Sequence, residues 1–153
     1  MIEIKKSKCA DTRTCDYDKV SKETLLANSK QHIEDVSRGF SFFIDKMWDA
    51  SFLHDYTKIK NIDEFYTDFK TGFASRDWCV MHQQKERHHF KNADYVQDDV
   101  NLIDIIEMII DGVMAGLARS GEYKKEDIPD SLLRKAFDNT IELLLKEVQV
   151  KEE

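Results

Sequence analysis

Five histidines punctuate the chain: His32, His54, His82, His88 and His89. Imidazole carries protons near neutral pH and is the commonest metal donor among side chains. His54 is followed directly by Asp55, and Lys58 comes about one helical turn later. Asp104, Glu107 and Asp111 follow at i, i+3 and i+7, a spacing that puts three carboxylates on one face of a helix. That helix is otherwise apolar. Buried carboxylates repel one another and lose hydration unless a cation or hydrogen-bond donors compensate.

Nitrogen and oxygen donors of this kind suit Mn, Fe, Zn, Co or Ni, whereas calcium takes oxygen alone. The chain order His, His-Asp, His, His-His, Asp therefore predicts one or two divalent transition metals, with a shared carboxylate if there are two. His82 and His89 are seven residues apart and share a face on an unbroken helix, while His88 points elsewhere. Either the helix breaks between Lys85 and His89, or only one of the pair binds. Taken singly, several residues have plainer readings. His32 reads as a core histidine, His88-His89 as a polar turn, Asp104 as a helix-start carboxylate and Lys58 as a solvated lysine. Their joint occurrence favours the metal.

The elements that must position these residues are helical. A first helix is expected from near Ser21 toward Asp49, with Leu25, Ser29, His32, Val36, Phe40, Phe43 and Met47 as an inward seam. A short segment over 51–58 carries His54 and Asp55. Asn61-Ile-Asp-Glu64 has the form of a capping box that opens a third helix toward Phe69, closed by Gly72. Ser75 is placed to cap a fourth helix bearing Trp78, Met81, His82 and Lys85. Residues 101–118 are apolar nearly all round and predict a central buried helix that stops at Gly121. After Pro129 a last amphipathic helix is expected, with Leu133, Phe137, Ile141, Leu144 and Val148 on one side. Residues 1–18 read as an irregular arm in which Ile2-Glu-Ile-Lys-Lys could form a short strand. Regular strand alternation is absent, so the fold class is all-α.

Composition narrows the function. The chain has 153 residues, 41% hydrophobic and 10% aromatic, enough for a packed domain and too apolar for a disordered chain. With 23 basic and 30 acidic residues the formal net charge is −7, which argues against a partner such as long nucleic acid. Small phosphorylated ligands stay open, because local cations or metals override the overall sign. No apolar run reaches the roughly 20 residues of a membrane span, and no signal-peptide block opens the chain. Cys9, Cys15 and Cys79 are odd in number and form no CxxC pair, which fits reduced thiols and a cytoplasmic location.

The element His54-Asp55-Tyr56-Thr57-Lys58 resembles the HD-x-x-K signature of the HD-domain superfamily of metal-dependent phosphohydrolases. His32 matches that family's first ligand. His82, His88 and His89 match the extra ligands of its two-metal branch, and Asp111 matches its closing aspartate. More narrowly, the run from His82 to Phe90 followed by Glu107-Met-Ile-Ile-Asp111 is similar to small HD-like proteins that are often phage-encoded. The resemblance covers about residues 25–121. No Gly-Tyr-Pro element follows, so the cyclic-dinucleotide branch is not supported.

The resemblance implies a single HD-like bundle of about six helices over 19–153, and hydrolysis of a nucleotide or related small phosphate ester by metal-activated water. His32, His54, Asp55 and Asp111 are then expected to hold one metal. His82, His88 or His89 would hold a second through a bridging Asp55. Asp55 and Lys58 form the catalytic pair, with Lys58 as a point charge for the phosphate. Arg76, Lys85 and Arg87 are further candidates for phosphate contacts, and Asp104 and Glu107 for orienting a ligand imidazole from behind. Two alternatives accompany this reading: an HD-fold di-iron oxygenase, and a non-catalytic phage accessory protein that sequesters a nucleotide. The amphipathic last helix would serve the core or a homodimer.

Overall fold

A computed structural model describes residues 1–6, 17–125 and 127–152. The described chain is mostly helical, as the missing strand alternation predicts. Its elements are β1 (Ile2–Lys5), α1 (Lys22–Leu53), α2 (Tyr56–Lys60), α3 (Ile62–Lys70), α4 (Asp77–Lys85), α5 (Leu102–Ser120), α6 (Asp130–Leu145) and β2 (Val148–Lys151), with a short 3-10 turn over Ala93–Tyr95. Cys9, Cys15 and most of the expected N-terminal arm lie outside the described residues. No helix among the described residues is long and apolar enough to cross a membrane.

The described residues divide into two compact units, Met1–Lys46 with Ile141–Glu153, and Met47–Thr140. In the first, β1 and β2 pair in parallel with Ile2 opposite Val148 and Lys5 opposite Lys151. The seam expected to run inward along α1 is not buried. No residue of α1 is buried, and Leu25, Val36, Phe40 and Met47 are all exposed. His32 is exposed with them. The last helix also stops earlier than the periodicity suggested. Val148-Gln-Val-Lys alternates with a period of two, and its β-branched residues suit the ladder better than another helical turn.

The second unit holds α2 to α5. Its fully buried residues are half polar: Thr57, Asp68, His82, Glu86, His88 and Asp104 stand with Trp78, Val100, Ile103, Ile105, Met108 and Ala136. Polar groups survive such burial only when partnered, so the partners define this unit. Asp104 closes a capping box at the start of α5: Asn101 Oδ1 accepts from the Ile103 N–H and Asp104 Oδ2 from the Asn101 N–H. The same carboxylate takes a two-pronged contact from Arg87, with Nε to Oδ1 at 2.8 Å and Nη2 to Oδ2 at 2.9 Å. Asp104 therefore anchors α5 and the loop before it, rather than orienting an imidazole. The Leu102 N–H completes this helix start by donating to Thr140 Oγ1. Burial along α5 is limited to Ile103, Asp104, Ile105 and Met108, so only its first half is central. At the start of α3, Asn61 makes no side-chain cap hydrogen bond, so the capping box expected there does not form. Arg76, not Ser75, precedes α4 as its first half-helical residue, with φ 61°, while Ser75 Oγ accepts from the Asp77 N–H at 3.3 Å.

Candidate metal centre

Asp55 sits at the junction of α1 and α2 in the left-handed region, φ 55° and ψ 21°. Aspartate tolerates that conformation better than most residues. Its carboxylate does not cap α2 but turns toward four imidazoles. His82 Nε2 lies 3.3 Å and His88 Nε2 3.8 Å from Asp55 Oδ1, and His54 Nε2 lies 3.4 Å from Oδ2. His89 Nε2 lies 2.9 Å from His82 Nε2, and Asp111 Oδ1 3.7 Å from His54 Nε2. Lys58 Nζ pairs with Asp55 Oδ2.

The open question about His88 and His89 is answered by the backbone. α4 ends at Lys85, and Glu86 leaves it at φ −85° and ψ 119°. The turn that follows lets both histidines face the cluster, His88 against His54 and His89 against His82. The rings pack tightly, with centroids 4.6 Å apart for His54–His88, 4.2 Å for His88–His89 and 4.7 Å for His82–His89. Trp78 stacks on His82 at 4.6 Å and on Phe65 at 4.0 Å, which walls the site with aromatic carbon.

Proton accounting fixes which nitrogens are left over. A carboxylate only accepts, so the 2.9 Å contact from His54 Nδ1 to Glu107 Oε1 makes Nδ1 the N–H and leaves the lone pair on Nε2. His88 Nδ1 also lies 2.9 Å from Glu107 Oε1, which turns its Nε2 toward Asp55. A relay on the other flank does the same for His82. Thr57 Oγ1 donates to Glu86 Oε1 at 2.5 Å, so its 2.6 Å contact with His82 Nδ1 has the imidazole donating. Glu86 is held in turn by the Thr57 N–H at 3.0 Å. With their Nδ1–H groups committed to Glu107 and Thr57, His54 and His82 turn Nε2 toward the Asp55 carboxylate, and His88 Nε2 faces it too. Asp55 Oδ1 and both ring nitrogens of His88 are buried with no hydrogen-bond partner, so the approach of His88 Nδ1 to Glu107 is an ion-pair contact.

The charges reflect this crowding. Burial pushes the Asp55 carboxyl up, but His82, Lys58 and His54 outweigh it and hold the group well below the usual carboxylate range. Glu107 is likewise lowered, its burial overcome by His88 and His54. Burial lowers His88, yet Glu107, Asp55 and Asp111 raise it on balance. His89 is pushed down to about 3 by burial and by the neighbouring His88 and His82, so it stays a neutral donor.

Two donor trios result: His54, Asp55 and His88, and Asp55, His82 and His89. They share Asp55. A cation about 2.1 Å from each donor sets neighbouring donors about 3.0 Å apart in an octahedron and about 3.4 Å apart in a tetrahedron. The separations of 2.9, 3.3 and 3.4 Å lie close to those values, and the 3.8 Å between His88 Nε2 and Asp55 Oδ1 exceeds them. Asp111 lies beside the first trio. His32, in the other unit, joins neither.

Two cavities open on the cluster. One, of about 430 Å³, is lined by Lys58, His88, His89 and Asp111 with Lys91 and Arg119. The other, of about 290 Å³, is bordered by His54, Glu107 and Asp111 and otherwise mostly by aliphatic side chains. Arg76 and Lys85 are exposed and line neither, and Arg87 is committed to Asp104 and Asp99. Thr57, Glu86 and Arg119 were not singled out in the sequence. Only Thr57, inside the His-Asp-x-x-Lys element, lay close to a signal. The chain matches no family model, no curated protein and no solved structure among those with which it was compared.

Proposed function

We propose that this cluster is a two-metal centre that hydrolyses a small phosphate ester, a nucleotide or a related compound. The observation that carries the reading is the pair of donor trios sharing Asp55, with Asp55 Oδ1 and His88 Nε2 buried and unpartnered. The resemblance to HD phosphohydrolases supports the same roles for His54, Asp55, Lys58, His82, His88, His89 and Asp111. His32 departs from that pattern.

When bound, divalent cations of the Mn, Fe, Co, Ni or Zn type supply a water of lowered pKa and neutralise charge on phosphoryl oxygens. Asp55 belongs to both trios, its Oδ1 facing His82 and His88 and its Oδ2 facing His54. Glu107 holds His54 and His88 from behind, and Thr57 with Glu86 holds His82, so three imidazoles are oriented before any ligand arrives. Asp111 adds a carboxylate oxygen beside His54. Lys58 and Arg119 bring positive charge to the larger cavity, where an anionic substrate enters. A di-iron oxygenase is the second reading, favoured by the same mixed nitrogen and oxygen donors. Metal analysis of protein purified without air, followed by phosphate-ester screens with Mn²⁺ or Co²⁺, tests both. Phosphate release that is equal in wild type and His54→Ala/Asp55→Ala protein refutes the hydrolase, and two irons with a mixed-valent signal favour the oxygenase.

A further inference from the structure

We propose that the organic part of the substrate is apolar and lies in the smaller cavity, between the end of α1 and α5. This rests on the phosphate-ester reading and narrows it from a nucleotide to an ester of an apolar group. The cavity is lined by Met47, Ala50, Ile103, Ile106, Ile110 and Met114, and its polar border is Ser51 with the cluster's His54, Glu107 and Asp111. Asp111 also lines the larger, cationic cavity. The centre is thus flanked by charge on one side and hydrocarbon on the other, which matches a ligand with one anionic end and one apolar end.

Volume sets the size of the group. A dry cavity of about 150 Å³ accepts benzene, and the groove, at about 290 Å³, has about twice that room. It therefore takes an alkyl or aryl group of up to about twelve carbons.

The test is calorimetric binding of methyl-, butyl- and octylphosphonate to Zn²⁺-loaded protein, which needs no turnover. Burying a methylene stabilises by about 0.8 kcal/mol, or about fourfold in affinity. Because the groove is open, the expected gain is about two- to fourfold per methylene from methyl to octyl. Ile110→Asn and Met114→Gln, both at exposed positions, flatten that slope, read within each variant. Phosphonates that bind with no chain-length gain overturn the inference and leave the phosphate reading standing. A slope unchanged in both variants also overturns it. Failure of every phosphonate to bind metal-loaded protein overturns both. A dimer that dissociates in Met114→Gln, with no chain-length gain in wild type, assigns the groove to a second copy and likewise refutes it.

Discussion

Glu107→Ala is the sharpest probe of the centre, because one carboxylate oxygen serves two imidazoles of the same trio. His54 Nδ1 and His88 Nδ1 each lie 2.9 Å from Glu107 Oε1. Glutamine would keep a carbonyl oxygen with two lone pairs in that place, whereas alanine removes the acceptor altogether. Both imidazoles therefore lose their partner. Removing a group that orients a metal-binding histidine typically costs about 10–100-fold in affinity, or about 1.4–2.7 kcal/mol. The loss falls on the trio His54, Asp55 and His88. The trio Asp55, His82 and His89 is untouched, since His82 is oriented by Thr57 and Glu86. Cobalt titration against a competing chelator, fitted to two sites, should show one dissociation constant weakened by that factor and the other unchanged. Equal weakening of both sites, or of neither, refutes the division of labour.

Glu86→Ala should give the mirror image, weakening the second site about 10–100-fold by the same titration. Arg87→Met leaves Asp104, 5% exposed, without its guanidinium. Breaking a fully buried pair costs about 3–5 kcal/mol; with Arg87 itself 36% exposed we expect about 2 kcal/mol, a melting shift of about 4–8 °C by calorimetry, with metal stoichiometry retained. His32→Ala should leave metal content unchanged by elemental analysis. pH acts on the metal-free protein in two directions. Asp55 and Glu107 are lowered on folding, so their stabilisation is present above about pH 4 and is lost as acid titrates them. His88 is raised, so its stabilisation is present below about pH 6.5 and is lost as pH rises through the folded value. The difference in urea midpoint between wild type and His88→Gln should shrink from pH 6 to pH 8; a growing difference contradicts the assignment.

What the sequence disclosed was mostly local. Asn101 and Asp104 at the start of α5 and Gly121 at its end, with φ 72°, are read from spacing and residue type alone. The histidines, Asp55, Glu107 and Asp111 stood out because donors of that chemistry are conspicuous in an apolar helical chain. Glu86 did not, since its role depends on Thr57, 29 residues earlier, and a lone glutamate at a helix end looks solvated. The seam on α1 failed for a different reason. Periodicity marks an apolar face without saying what covers it, and so His32 was placed inward with its neighbours. Asn61 had the right residue type for a cap, but at φ −113° and ψ 42° its side chain makes no cap bond.

The parallel ladder joins Ile2 to Val148, so its first strand must wait for its second while 146 residues are added. At about 5–20 residues per second of ribosomal synthesis, that delay is roughly 7–30 seconds. Every residue from Met47 to Thr140 emerges during the wait. The histidine-bearing unit is therefore synthesised in full before β2 exists to pair with β1.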